Sequence, residues 1–239
     1  MTTVLTVGHG RQEAEELLEL LNGAGVARLI DIRSFPGSRR NPQFGQGEME
    51  RWVPNGGIEY RWAKPLGGRR RPVPGSRHVA LRHESFRAYA DHMETPEFLD
   101  VVDELLTIAD EATVAVMCSE SVWWRCHRRL LADHLVLVRG VEVTHLMPGG
   151  RRAEHRPTEG VRVELDAVDA GDRTLGGVPR PDATGEFDDV GAPEGATHTD
   201  QPRTGRACKD RTHTRRTHTC RTRPGRHLVY DVGVTPPLV

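Results

Sequence analysis

The apolar pattern predicts a doubly wound α/β domain, a mostly parallel, Rossmann-like five-stranded sheet with helices on both faces over residues 1–165, followed by a disordered tail. Three observations carry this expectation. Short β-branched apolar runs alternate with segments whose apolar residues recur at helical spacing, the signature of strand–helix units in a parallel sheet. The loops after the strands are rich in Gly, Pro and charged residues. From 166 to 227 only five large apolar residues occur (Val168, Leu175, Val178, Phe187 and Val190), too few to offset the entropy of ordering that length.

Taken in order, Thr3 to Val7 is an apolar strand running into Gly8-His9-Gly10. The segment 11–22 then places Ala14, Leu17, Leu18 and Leu21 on one helical face, and Gly23 and Gly25 end it. Gly8 and Gly10 are not part of a GxGxxG dinucleotide fingerprint, but they leave room for a ligand beside the backbone. A second strand, Arg28 to Ile32, carries Asp31 near its end and Arg33 and Ser34 just beyond. The following loop holds Pro36, Gly37 and Pro42, which exclude a helix or a central strand. A helix over about 45–53 ends at Pro54 and Gly56-Gly57, and a third strand spans 58–63. After the Gly/Pro/Arg-rich loop 66–77, helices are expected over 83–94 and 96–111, the latter started by Thr95-Pro96. A fourth strand at 113–117, a helix containing Leu130, Leu131, His134 and Leu135, and a fifth strand at 141–146 complete the domain. With strand order 3-2-1-4-5, the first and fourth strands are neighbours at the switch point, which brings His9 to Cys118 and Glu120.

The chemistry concentrates in residues 113–135, TVAVMCSESVWWRCHRRLLADHL. Cys118 and Glu120 stand at a strand's carboxyl end; Trp123, Trp124, Cys126, His127 and Arg128 follow where a helix begins. Ligands of open α/β sheets bind outside the carboxyl ends of strands, and a helix amino terminus favours anions. Each residue also has a plain structural reading, since a lone cysteine is commonly a small core residue and a tryptophan pair a lid. It is the cluster of thiols, carboxylate, imidazole and guanidinium that singles out the junction.

The chain resembles the DUF488 proteins, a family without an assigned function. The resemblance rests on TVGHG at 6–10, DIRSFPGSRRNPQF at 31–44, LGGRR at 66–70, FRAYADHMETPEF at 86–98 and MCSESVWWRCHRRLLADHL at 117–135, and covers about residues 4–147. It implies a compact α/β domain and no particular reaction. Many members have a serine after Gly-His where this chain has Gly10.

Charge narrows the function classes. The 239 residues carry 33 Lys plus Arg against 34 Asp plus Glu, so bulk charge does not make this a basic nucleic-acid binder. Locally the balance differs: Arg33, Arg39, Arg40, Arg51, Arg61, Lys64, Arg69, Arg70, Arg71, Arg77, Arg82 and Arg87 face only Glu48, Glu50, Glu59 and Glu84. Phe35, Phe44, Trp52, Tyr60 and Trp62 interleave as stacking faces for bases. The tail divides into an acidic part, 166–200, and a basic part, 201–239. No run of about 18 apolar residues and no signal pattern is present, so no membrane association and a cytoplasmic location are expected. The four cysteines at 118, 126, 208 and 220 form no disulfide framework.

The leading expectation is an enzyme acting on a nucleotide or nucleic acid, of hydrolase or glycosylase type. Catalysis falls to His9, Glu120, Cys118 and Cys126; phosphate or nucleic acid is held by Arg33, Ser34, Arg39, Arg40, His127, Arg128 and Trp124. Glu120, with its pKa raised by burial against Trp123, acts as general acid or base, and a thiol at the helix start as nucleophile. No cofactor is required in that reading. Two alternatives remain open: a metal or redox protein with zinc or iron on Cys118, Cys126 and His9, and a non-catalytic nucleic-acid-binding module.

Overall fold

The computed structural model describes residues 2–37, 40–165 and 225–231. The described residues belong to one compact unit. Its centre is a six-stranded sheet of order β3-β2-β4-β1-β5-β6, with β1 at Thr3–Gly8, β2 at Arg28–Asp31, β3 at Glu59–Trp62, β4 at Val114–Cys118, β5 at Glu142–Leu146 and β6 at Arg152–Glu154. The first five strands are parallel, and β6 adds an antiparallel edge to β5.

The α/β class is as the sequence indicates; the order is not. The fourth strand lies between the second and the first, so the expected 3-2-1-4-5 becomes 3-2-4-1-5. All five residues of β4 are buried, which fits the central position that the apolar run Val114–Cys118 demands. Right-handed crossovers then fix the layers. Going from β1 to β2 and on to β3, the chain crosses one face with α1 (Ala14–Gly23) and α2 (Gln46–Asn55). Returning from β3 to β4 and on to β5, it crosses the other with α3 (Glu84–His92), α4 (Pro96–Glu111) and α5 (Arg128–Leu137).

Two cores result. Leu17, Leu21, Met49, Val53 and Phe44 pack on Leu5, Val7, Leu29 and Met117. Tyr89, Phe98, Val102, Leu130, Leu131 and Leu135 pack on Val4, Ile30, Val116 and Cys118. The alternation along each strand is the period-two rule of side chains in a pleated sheet. Helix α4 starts as its sequence dictates, Thr95 Oγ1 accepting from the Phe98 N–H with Pro96 at the first position. Pro54 does not stop α2, which runs one residue further; near a helix end the lost hydrogen bond costs little.

The tail also needs correction. Within the segment expected to be disordered, Arg226–Tyr230 forms a strand, β8, antiparallel to β7 (Val161–Leu165). Leu228, Val229 and Tyr230 are buried, and the Tyr230 carbonyl accepts from the Ala80 N–H. The remainder of the tail lies outside the described residues. Among the described residues no helix is long and apolar enough to cross a membrane.

Candidate functional site

Adjacent strands β1 and β4 send their crossovers in opposite directions, which makes the carboxyl ends of this pair the switch point of the sheet. Gly8 pairs with Cys118 there, and the His9 N–H donates to the Cys118 carbonyl at 3.1 Å. The expected meeting of residues 9 and 118 is therefore met in the backbone. It is not met by the side chains. His9 points to the α1/α2 face, stacked on Phe44 at 4.3 Å, whereas Cys118 belongs to the α3–α5 core.

The glycines of Gly8-His9-Gly10 make room for this chain's own loop. A Cβ on residue 8 would overlap the Glu120 carbonyl oxygen, and one on residue 10, where φ is +56°, would overlap the Ser121 hydroxyl. The loop 119–121 thus closes over the strand ends where the sequence left space for a ligand. Ser121 supplies a hydroxyl beside Gly10, which itself has none. Gly67 and Gly68 act in the same way: Cβ atoms there would sit 2.5 Å from Ser34 Oγ and from the His127 ring. Ser34 Oγ also accepts from the Arg69 N–H at 2.9 Å, so Ser34 braces the loops after β2 and β3 against each other.

Loop 118–128 carries the reactive groups. Cys118 Sγ and Cys126 Sγ are 2.8 Å apart and both buried. Burial works against ionising Cys118, but the hydrogen bond from Cys126 and the field of Arg128 outweigh it and bring its pKa below the usual thiol value. Burial, together with the proton shared with Cys118, pushes the Cys126 thiol well up. His127 Nε2–H donates to the Ile32 carbonyl at 3.1 Å, leaving Nδ1 as an acceptor 3.4 Å from Cys126 Sγ. Burial and nearby Arg128 hold that imidazole neutral, its pKa lowered to about 4.

Arg128 is 1% exposed. Its Nη2 donates to the Glu120 carbonyl at 2.9 Å, while Nε and Nη1 have no hydrogen-bond partner. Among the described residues no carboxylate pairs with it. A guanidinium stays charged at any ordinary pH, and burying such a charge without a counter-ion is costly. The field of Arg128 is one of the influences that lower the Cys118 pKa.

The other expected residues divide. Arg33 is buried, its guanidinium clamped on Asp31 and donating to the Phe44 carbonyl at 2.9 Å; Tyr60 O–H closes the network on Asp31 at 2.7 Å. It also donates from Nη1 to His9 Nε2 at 3.3 Å, so His9 Nδ1–H turns to the Gly10 carbonyl. Burial and Arg33 lower the His9 pKa to about 4. The Glu120 carboxylate is exposed, not buried against Trp123. Trp123 instead stacks on His145 at 4.2 Å. Trp124 and Arg40 are exposed; Arg39 lies outside the described residues. Among the described residues no group of three His, Cys, Asp or Glu is placed to hold a metal ion.

The family described as "Domain of unknown function DUF488" matches residues 13–135, just over half of the chain. The chain belongs to the DUF488 family. No curated protein and no solved structure matches it. The DUF488 match takes in the Asp31–Arg33 network, Gly67-Gly68 and loop 118–128, and stops within α5.

A polar chain that sequence reasoning missed lies mostly outside the DUF488 match, with Asp133 inside it. Thr6 O–H donates to His145 Nδ1 (2.6 Å), His145 Nε2–H to His155 Nδ1 (3.0 Å), and His155 Nε2–H to Asp133 Oδ1 (2.8 Å). Asp133 also accepts from the Thr158 N–H and O–H and from Tyr230 O–H. Thr6, Asp133, His145, His155, Thr158 and Tyr230 are scattered through the sequence, and no local spacing joins them. A cleft of about 460 Å³ lies elsewhere, lined by α1 and residues 146–152.

Proposed function

We propose that this DUF488 protein is an enzyme that acts on a nucleotide or nucleic acid through a thiolate at Cys118, held at the switch point by Arg128. The observation that carries the reading is Arg128 itself: a buried guanidinium that no carboxylate pairs with among the described residues, its field acting on the thiol at the carboxyl end of the central strand. A structural arginine is ordinarily matched by an acid, as Arg33 is by Asp31. Charge aimed at a thiol lowers its pKa and makes it a nucleophile at neutral pH.

The substrate class comes from the rim. Loops 33–44, 63–77 and 119–127 follow parallel strands and so share one edge, and they touch one another through Ser34, Gly67, Gly68 and His127. Arg69 and Arg71 are exposed on this rim, as are the faces of Phe35 and Trp124. Arginine suits phosphate and flat side chains suit bases, each stacked base contributing about 1–3 kcal/mol. His127 Nδ1, 3.4 Å from Cys126 Sγ, is the acceptor at the thiol pair, in the place expected of Glu120. With a reduced thiol at its centre, the reading fits a cytoplasmic enzyme.

The test uses the full chain and fluorescein-labelled single-stranded DNA and RNA. Affinity should fall steeply with salt, and Arg69→Ala/Arg71→Ala should reduce the slope of log K against log salt by about 2. Cys118→Ser should keep binding and lose turnover of any substrate found among damaged or modified nucleotides. No binding at low salt, or equal binding by wild type and the double variant, removes polymeric nucleic acid.

A further inference from the structure

The thiol pair has a second chemistry, independent of what the rim binds. We propose that Cys118 and Cys126 are an oxidisable pair that closes reversibly into a disulfide when the protein meets a peroxide-class oxidant. Their sulfurs are 2.8 Å apart in the reduced state. Reaching the roughly 2.05 Å of a disulfide requires a movement of less than about 1 Å. Cys118 is fixed at the end of β4, but Cys126 sits between a short 3₁₀ turn at Trp123–Arg125 and the first residue of α5, where a small backbone adjustment breaks no sheet pairing.

The neighbours divide the two sulfurs into an attacking and a resolving group. The hydrogen bond from Cys126 and the field of Arg128 favour the thiolate at Cys118, whereas Cys126, its Sγ 3.4 Å from His127 Nδ1, keeps its proton. In the first step the Cys118 thiolate attacks hydrogen peroxide. An S–O bond forms, the O–O bond breaks, and the departing hydroxide takes a proton from solvent to leave as water. The product is a sulfenic acid on Cys118. In the second step Cys126 attacks the Cys118 sulfur. The S–S bond forms and the S–O bond breaks, and the departing hydroxide takes the Cys126 proton and leaves as water. Two thiols are oxidised by two electrons and one peroxide is reduced to two waters. A dithiol reductant restores the pair by exchange. Both sulfurs are enclosed, with exposures of 1% and 4%, so small peroxides reach them ahead of bulky disulfides.

The experiment counts thiols, with no substrate present. The full-length Cys208→Ser/Cys220→Ser protein is treated with hydrogen peroxide, denatured, alkylated with iodoacetamide and weighed intact. Two adducts are expected before oxidation, none after it, and two again after dithiothreitol, with one peptide pair joined through Cys118 and Cys126. In Cys126→Ser, oxidised Cys118 should be captured by dimedone as sulfenic acid. Two adducts persisting after peroxide, or cross-linking only between molecules, overturns the proposal and leaves the substrate reading untouched. Failure of nucleic-acid binding leaves this one untouched in turn.

Discussion

Gly8→Ala is the sharpest probe of how the switch point is built. A Cβ on residue 8 overlaps the Glu120 carbonyl oxygen, comes within 2.6 Å of the carbonyl carbon and lies 3.0 Å from Arg128 Nη2. Two of these three obstacles are backbone atoms. No side-chain rotation relieves the clash: either β1 shifts in its register with β4, or the loop 119–121 lifts. Overpacking of a dense core costs about 1–3 kcal/mol, and a backbone obstacle places this substitution at the upper end. For a folded unit of this size, about 3 kcal/mol lowers the melting temperature by roughly 6–12 °C. Lifting the loop also draws the Glu120 carbonyl from Arg128, so Cys118 and Cys126 become accessible to alkylation under native conditions. Gly23→Ala, at the end of α1 with nothing within 4 Å of the added carbon, is the control and should change stability by less than about 1 kcal/mol. Thermal unfolding followed by circular dichroism, with native-state alkylation rates, measures both effects. A Gly8→Ala protein melting within about 2 °C of wild type, its thiols still protected, would refute the close approach of loop and strand.

Three further outcomes follow from the same geometry. Asp133→Asn replaces an acceptor of four hydrogen bonds by a group that must itself donate; it should cost about 3–5 kcal/mol in urea unfolding, and a loss below about 1 kcal/mol would show that Tyr230, Thr158 and His155 are not held there. His134 and His145 are buried, burial being the main cause that lowers both pKa values to about 3 from an ordinary 6.5. The unfolded chain therefore binds more protons between pH 6.5 and 3, stability rises with pH across that window, and lowering the pH from 7.5 to 5 should cost about 2 kcal/mol per histidine. An equal urea midpoint at the two pH values would contradict this. Arg128→Met removes the positive field from Cys118, so the pH profile of its alkylation should move upward; an unmoved profile would take Arg128 out of the thiol's environment.

Much of this protein is decided locally and so is legible in its sequence. Runs such as Val114–Cys118 bury both faces whatever their neighbours are, the Thr95-Pro96 start of α4 is set by caps within four residues, and the density of Cys, His and Arg in 118–128 marks the site without a fold. Matters that depend on which distant segments meet were decided by the tertiary structure. The place of β4 between β2 and β1 is a choice among packings with the same local pattern. The register of β1 on β4 brings Gly8 against Glu120 and puts the side chains of His9 and Cys118 on opposite faces of the sheet. Asp31, two residues away, matches Arg33, while among the described residues no acid matches Arg128, a difference that two equally charged side chains in a sequence do not announce. The Thr6–His145–His155–Asp133 chain and the pairing of β7 with β8 span sequence separations of 10 to 139 residues. Their polar groups are costly to bury alone and stabilising only together, so their worth exists only once the chain has folded.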